Sequence, residues 1–251
     1  MNIGQTKYGW LNLHRWKHWL LLLAAVVLLL PTVSQARTYC GKLWNTVFEI
    51  NSHYLVFAPE YKGVDIWAGE GAQNLTKGCD DSFKSIAFYL QWPSMEPSKS
   101  YDIFPYNRLP DRFEVGFSSS GSMKGVERDN RYMLFIKLSQ ATGSTHEWTQ
   151  AEIDEAAVFD EALGLHAIRG IRRDELETRD VYWLERGDGF VEGVISCSRL
   201  RLKPVASSCG YTRDLPQYDA VMIVRFSIAN LSQWKDMEQK SIDLLESFIK
   251  Q

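Results

Sequence analysis

The longest unbroken run of apolar positions in the chain is residues 19–30, close to the amino terminus. Lys7, Arg15 and Lys17 precede it with no acid among them, and Pro31 ends it. Ser34-Gln35-Ala36 then supplies the small residues that a signal peptidase reads. The pattern predicts a signal peptide over residues 1–36, cleaved after Ala36, and a protein that works in the periplasm. A spanning helix needs roughly 20 apolar residues, more than this run holds. The long basic stretch before it keeps an uncleaved anchor as the alternative, and no second long apolar run predicts a span in the mature part.

Beyond residue 37 the pattern changes to short segments. Residues 43–50 nearly alternate and predict a strand. Residues 54–58 form a short apolar run stopped by Pro59, a second strand, and Ile66-Trp67 a third. Residues 84–90 are aromatic and rich in β-formers. Prolines at 93, 97, 105 and 110 make 93–110 a loop, since proline cannot donate to a ladder. Phe113, Val115 and Phe117 share one face of a strand at 112–117. A Ser- and Gly-rich stretch follows, which places a boundary between an N-terminal half, residues 37–125, and a C-terminal half, residues 126–251.

In the second half, residues 131–138 read as a strand by apolar density. Thr149 and Glu152 form a capping box opening a helix that should end near Gly164. Residues 180–185 and 190–197 flank Arg186-Gly187-Asp188-Gly189, a tight-hairpin signal. Residues 218–226 predict another strand. Asn230 and Gln233 suggest a second capping box. Leu231, Trp234, Met237, Ile242, Leu245 and Phe248 then recur at helical spacing. Strands interleaved with few helices predict an α+β protein with antiparallel sheets, in two similar-sized halves.

Composition fits a globular chain: 45% hydrophobic and 24% charged. The 28 basic and 31 acidic side chains give a net charge of −3. Removing three bases and no acid with the leader takes the mature part to −6. Arg169, Arg172 and Arg173 cluster, but Asp174, Glu175 and Glu177 dilute them, so the chain lacks the basic stripe of a nucleic-acid binder.

All four cysteines, Cys40, Cys79, Cys197 and Cys209, lie in the mature part. In an exported protein an even count predicts disulfides. Of three pairings, the sequence-local one joins Cys40 to Cys79 and Cys197 to Cys209. There is no C-x-x-C, and His53, His146 and His166 are scattered, so neither metal nor cofactor is expected.

No motif compels a reaction. Arg186-Gly187-Asp188 is explained by turn geometry. Ser232-x-x-Lys235 and Ser247-x-x-Lys250 match the acyl-enzyme pattern without its companion motifs. Aromatic residues in or beside the proline-rich loop, Trp92, Tyr101, Phe104 and Tyr106, are candidate partner-binding anchors, because Tyr and Trp dominate interface energetics. The expectation is a non-catalytic binder. The alternative is an exported hydrolase of cell-envelope substrates using Ser232 or a histidine–acid pair.

Residues 86–97, with Tyr89-Leu90-Gln91-Trp92-Pro93-Ser94-Met95-Glu96-Pro97, resemble an element of periplasmic immunity proteins that guard bacteria against lipase and related effectors of type VI secretion. Val181-Tyr182-Trp183, Gly189, Ile195-Ser196-Cys197, Cys209, the strand at 221–226 and Leu231-x-x-Trp234 with its helix are similar too. The resemblance implies a two-part α+β inhibitor of a secreted toxin, without catalytic residues. The lead-in departs from some such proteins in lacking a lipoprotein cysteine.

Overall fold

Side chains that point alternately to two packed faces build one sheet with a core on each side. The computed structural model describes residues 37–55, 57–64, 77–98, 111–120, 129–143 and 146–251. The expected leader, the strand at Ile66-Trp67 and the 125/126 boundary lie outside the described residues. Strands β1 (Thr38–Leu43) and β2 (Thr46–Asn51) form a hairpin. The single strand expected at 43–50 is thus broken by a turn, in which Trp44 adopts a φ of 51°. Next come β3 (Glu60–Tyr61), β4 (Phe83–Gln91) and β5 (Arg112–Ser119). Helices α1 (Arg131–Thr142) and α2 (Gln150–Ala156) follow. Strands β6 (Val158–Asp160), β7 (Leu165–Arg172), β8 (Glu177–Glu185), β9 (Val191–Leu200), β10 (Ser208–Leu215) and β11 (Ala220–Ser227) lead to α3 (Trp234–Glu246).

Nine strands make one sheet in the order β3-β4-β5-β11-β10-β9-β8-β7-β6, with every neighbouring pair antiparallel. Val115 of β5 lies opposite Val224 of β11, so strands from both sides of residue 125 share this sheet. Residues 37–251 form one compact unit. The architecture is α+β and antiparallel. Among the described residues no helix is long and apolar enough to cross a membrane.

Each face of the sheet has its own core. On one, Phe88, Phe117, Tyr211 and Met222 meet Phe48 and Ile50 of the hairpin and Trp234, Met237 and Leu245 of α3. On the other, Leu134, Leu138, Ala141 and Ile153 from α1 and α2 cover Val181, Trp183 and Val194. Burying each large side chain contributes about 1.5–3 kcal/mol. In β8 the alternation is explicit: Val181 and Trp183 point to the second core, Tyr182 to the first.

The strand expected at 131–138 is a helix. Its run Met133-Leu134-Phe135-Ile136 masks a period of three to four, because only Leu134, Leu138 and Ala141 are buried. Gly143 ends it with a φ of 62°, the left-handed C-cap. The capping box at Thr149 and Glu152 forms, but α2 stops at Ala156 because the chain turns into β6 and pairs with β7. Residues 52–54 make a 3-10 turn capped by Asn51, and Leu55 contributes one bridge to Phe88 in place of the strand expected at 54–58. Asn230 lies within a 3-10 helix (Ile228–Gln233) capped by Ser227, so it does not cap α3.

Both expected disulfides are present. Cys40–Cys79 ties β1 to the segment entering β4. Cys197 and Cys209 face each other in register across β9 and β10, their α-carbons 4.0 Å apart.

Candidate functional site

Antiparallel order gathers connections at the two ends of the sheet. Gln91 opposite Arg112, Glu177 opposite Leu200, and Ser208 opposite both Ser198 and Ser227 lie along one end. The strand ends flanking residues 92–111, 173–176, 201–207 and 228–233 therefore all lie there. The loops that are described at this end are held by their own polar groups. Asp174 accepts from the amides of Leu176 and Glu177 at 2.7 and 2.8 Å, an Asx-type turn. Ser207 accepts from the Leu200 amide at 3.0 Å, and Pro204–Ala206 forms a 3-10 turn. The Arg201 amide donates to the Leu176 carbonyl at 2.9 Å, joining the two loops. The Cys197–Cys209 bridge closes the base of the longer one.

Beneath these loops lies a charged layer. Asp180, buried in β8, accepts from the Gly170 amide at 2.8 Å and from Arg199 Nε at 2.6 Å. That bond holds the Arg199 guanidinium above its ordinary range, against the opposing effect of burial. Glu177 accepts from Ser198 Oγ and Arg179 Nε, both at 2.7 Å, and pairs with Arg173 at 3.2 Å. Burial raises its carboxyl pKa, but these donors outweigh burial and hold it below the usual range. The layer ties the ends of β7, β8 and β9 together beneath the loops.

Of the four aromatic candidates, Trp92 stands in the core with 7% exposure. Its indole packs 5.4 Å from the Phe113 ring, and Lys240 lies 4.9 Å over its face. Tyr101, Phe104 and Tyr106 lie outside the described residues; the chain leaves at Ser98 and returns at Asp111, beside Trp92, whose amide donates to the Asp111 carbonyl at 2.6 Å.

Between the α1–α2 layer and strands β6–β9, at the other end of the sheet, lies a cleft of about 320 Å³. His166 stacks on Trp183 with ring centroids 5.6 Å apart, and Phe159 meets its edge at 5.2 Å. Trp183 Nε1 donates to Glu185 at 3.0 Å, and Arg131 is engaged by Gln150 at 3.1 Å and by the Gly189 carbonyl. The cleft has an aromatic wall, and its Arg131, Gln150, Trp183 and Glu185 are already hydrogen-bonded. His146 sits elsewhere, 3.3 Å from Glu152 and edge-on to Trp148, and His53 adjoins Tyr54. Ser232 is exposed on its 3-10 turn, while the Lys235 ammonium lies 5.5 Å over the Trp234 ring. Among the described residues no three His, Cys, Asp or Glu side chains gather as metal ligands. The loop-to-loop bond and the Asp180 network escaped sequence reading, because partners far apart in sequence leave no local signal.

No family model matches the chain, and no curated protein does. Among solved structures, the chain superposes on Smlt3025, an immunity protein of the Stenotrophomonas maltophilia type IV secretion system, with a TM-score of 0.50. The two share 15% identity, and the match covers 85% of this chain and 94% of that one. The likeness is one of fold.

Proposed function

We propose that this protein is exported to the periplasm and there neutralises a secreted bacterial toxin by binding it, without catalysing a reaction. The observation that carries the reading is the fold shared with an immunity protein along nearly its whole length. The two disulfides suit an oxidising compartment. The basic leader with its short apolar core suits export. The motif resemblance speaks for type VI secretion, while the solved neighbour serves a type IV system; in either case the partner is a secreted protein, and neither a membrane span nor a nucleic acid enters the reading. Tyr101, Phe104 and Tyr106 are retained as proposed contacts, while Trp92, buried at 7% exposure, is proposed to support binding only indirectly, by bracing the end of β4 that precedes them.

The test is binding between the purified mature protein and the effector encoded beside it. A stable one-to-one complex supports the reading. No complex, together with turnover of lipid or cell-wall substrate that is lost on changing Ser232, His146 or His166, replaces it with the hydrolase.

A further inference from the structure

Three of the large apolar side chains that stand exposed belong to the two joined loops: Leu176 at 52%, Leu202 at 72% and Val205 at 63%. Exposed apolar groups scattered singly are ordinary, whereas a group held on adjacent rigid loops is the usual mark of an interaction surface. The backbone bond from Arg201 to Leu176 fixes the loops against each other, and the disulfide at the base of the longer loop limits its motion. A partner meeting this knuckle loses little entropy in ordering it.

The charge around it is opposite to that of the chain. On residues 173–176 and 201–207, Arg173, Arg201 and Lys203 are exposed against Asp174 and Glu175, a local balance of +1 on a chain of −3. Asp174 caps its own loop, and Arg173 pairs with Glu177 at 3.2 Å. The longer loop, residues 201–207, itself carries Arg201 and Lys203 and no acid. Opposed potentials steer encounter and set specificity. A membrane surface, uniformly anionic, is a poorer fit, because Glu175 stands among the bases.

We propose that Leu176, Leu202 and Val205, with Arg201 and Lys203 beside them, seat in an acidic, apolar-floored cleft of the toxin. This rests on the toxin-neutralising reading above. It adds which end of the molecule docks and the chemistry of the surface that receives it.

The experiment measures affinity of purified wild-type protein for the purified effector, beside two double variants: Leu202→Asp with Val205→Asp, and Arg201→Glu with Lys203→Glu. Melting temperatures check that both variants fold, as exposed positions should allow. The apolar-to-acid pair should weaken binding at least about 100-fold, the scale of losing central anchors. The charge-reversed pair should slow association about tenfold or more, and added salt should slow the wild type toward it. Wild-type binding with both variants unchanged overturns the knuckle while leaving the immunity reading intact. Absence of wild-type binding overturns that reading itself. Sedimentation of the wild type alone and flotation with phosphatidylglycerol vesicles complete the test: self-association or vesicle binding that Leu202→Asp with Val205→Asp abolishes, with effector affinity unmoved, would assign the surface to a second copy or to lipid instead.

Discussion

Trp92 Nε1 donates a hydrogen bond to Gln233 Oε1 at 2.8 Å, joining residues 141 positions apart. The indole that the sequence offered as a partner-binding anchor is a strut between the end of β4 and the approach to α3. Trp92→Ala should destabilise the protein by about 3–5 kcal/mol, the range for a large aromatic in a packed core. Trp92→Phe, which keeps a ring and loses the bond, should cost less. Denaturant unfolding measures both. A Trp92→Ala protein of native stability with weakened partner binding would restore Trp92 as a surface anchor.

Glu238 is buried on the inner face of α3, accepting from the Tyr211 hydroxyl at 3.1 Å and from Arg213. Burial and the adjacent carboxylate push the Tyr211 phenol well above its ordinary range. Glu238→Ala leaves Arg213 and Tyr211 without their acceptor. The expected loss is about 3 kcal/mol, since removing one member of a buried pair strands the other. Glu238→Gln keeps an acceptor and should cost clearly less. Equal losses would show that the negative charge, not the shape or the neutral acceptor, sets the role.

The bridges close loops with sequence separations of 39 and 12. Chain-entropy reasoning assigns about 4 kcal/mol to the longer and about 3 to the shorter. Cys197→Ser with Cys209→Ser should lower stability by that smaller amount, and it should loosen the loop of residues 201–207 most, which hydrogen exchange reads directly. Non-reducing peptide mapping of exported protein should join Cys40 to Cys79 and Cys197 to Cys209. Free thiols would contradict the assignment.

Tyr218 titrates late. Burial, reinforced by its hydrogen bond to Glu246 at 2.9 Å, pushes its phenol up to about 12. An unfolded tyrosine ionises near 10. Between those values the unfolded chain has released a proton that the folded protein keeps, so stability falls as pH rises through this window. Below pH 10 the contribution is whole. Tyr218→Phe should be the less stable protein at neutral pH, and the gap to wild type should narrow from about pH 10 to about 12. A gap constant with pH would place the phenol at its ordinary value.

The sequence announced those elements whose signals are local. Phe113, Val115 and Phe117 showed their buried face by simple alternation, and the Asp-Gly pair at 188–189 marked the β8–β9 hairpin. The Thr149–Glu152 box named the start of α2 through two hydrogen bonds within four residues. The errors occurred where tertiary packing decides. Four consecutive apolar residues at 133–136 satisfy a strand as well as a helix, and only the second core selects among them. The strands β6 and β7 pair within one short hairpin that a continuing helix would have absorbed. The loop end was harder still. Leu176 and Leu202 lie 26 positions apart in the sequence, and only the order β7-β8-β9-β10 brings their loops together.

The central claim is that this chain protects a cell by meeting a secreted toxin outside the cytoplasm. The most direct measurement is growth of cells that receive the neighbouring effector in the periplasm, with either the full chain or residues 37–251 alone expressed beside it. The full chain should restore growth, and the leaderless form should fail to protect while the same purified form still binds the effector. Equal protection by both forms would contradict the export claim, and failure of the full chain to protect or to bind would contradict the immunity claim itself.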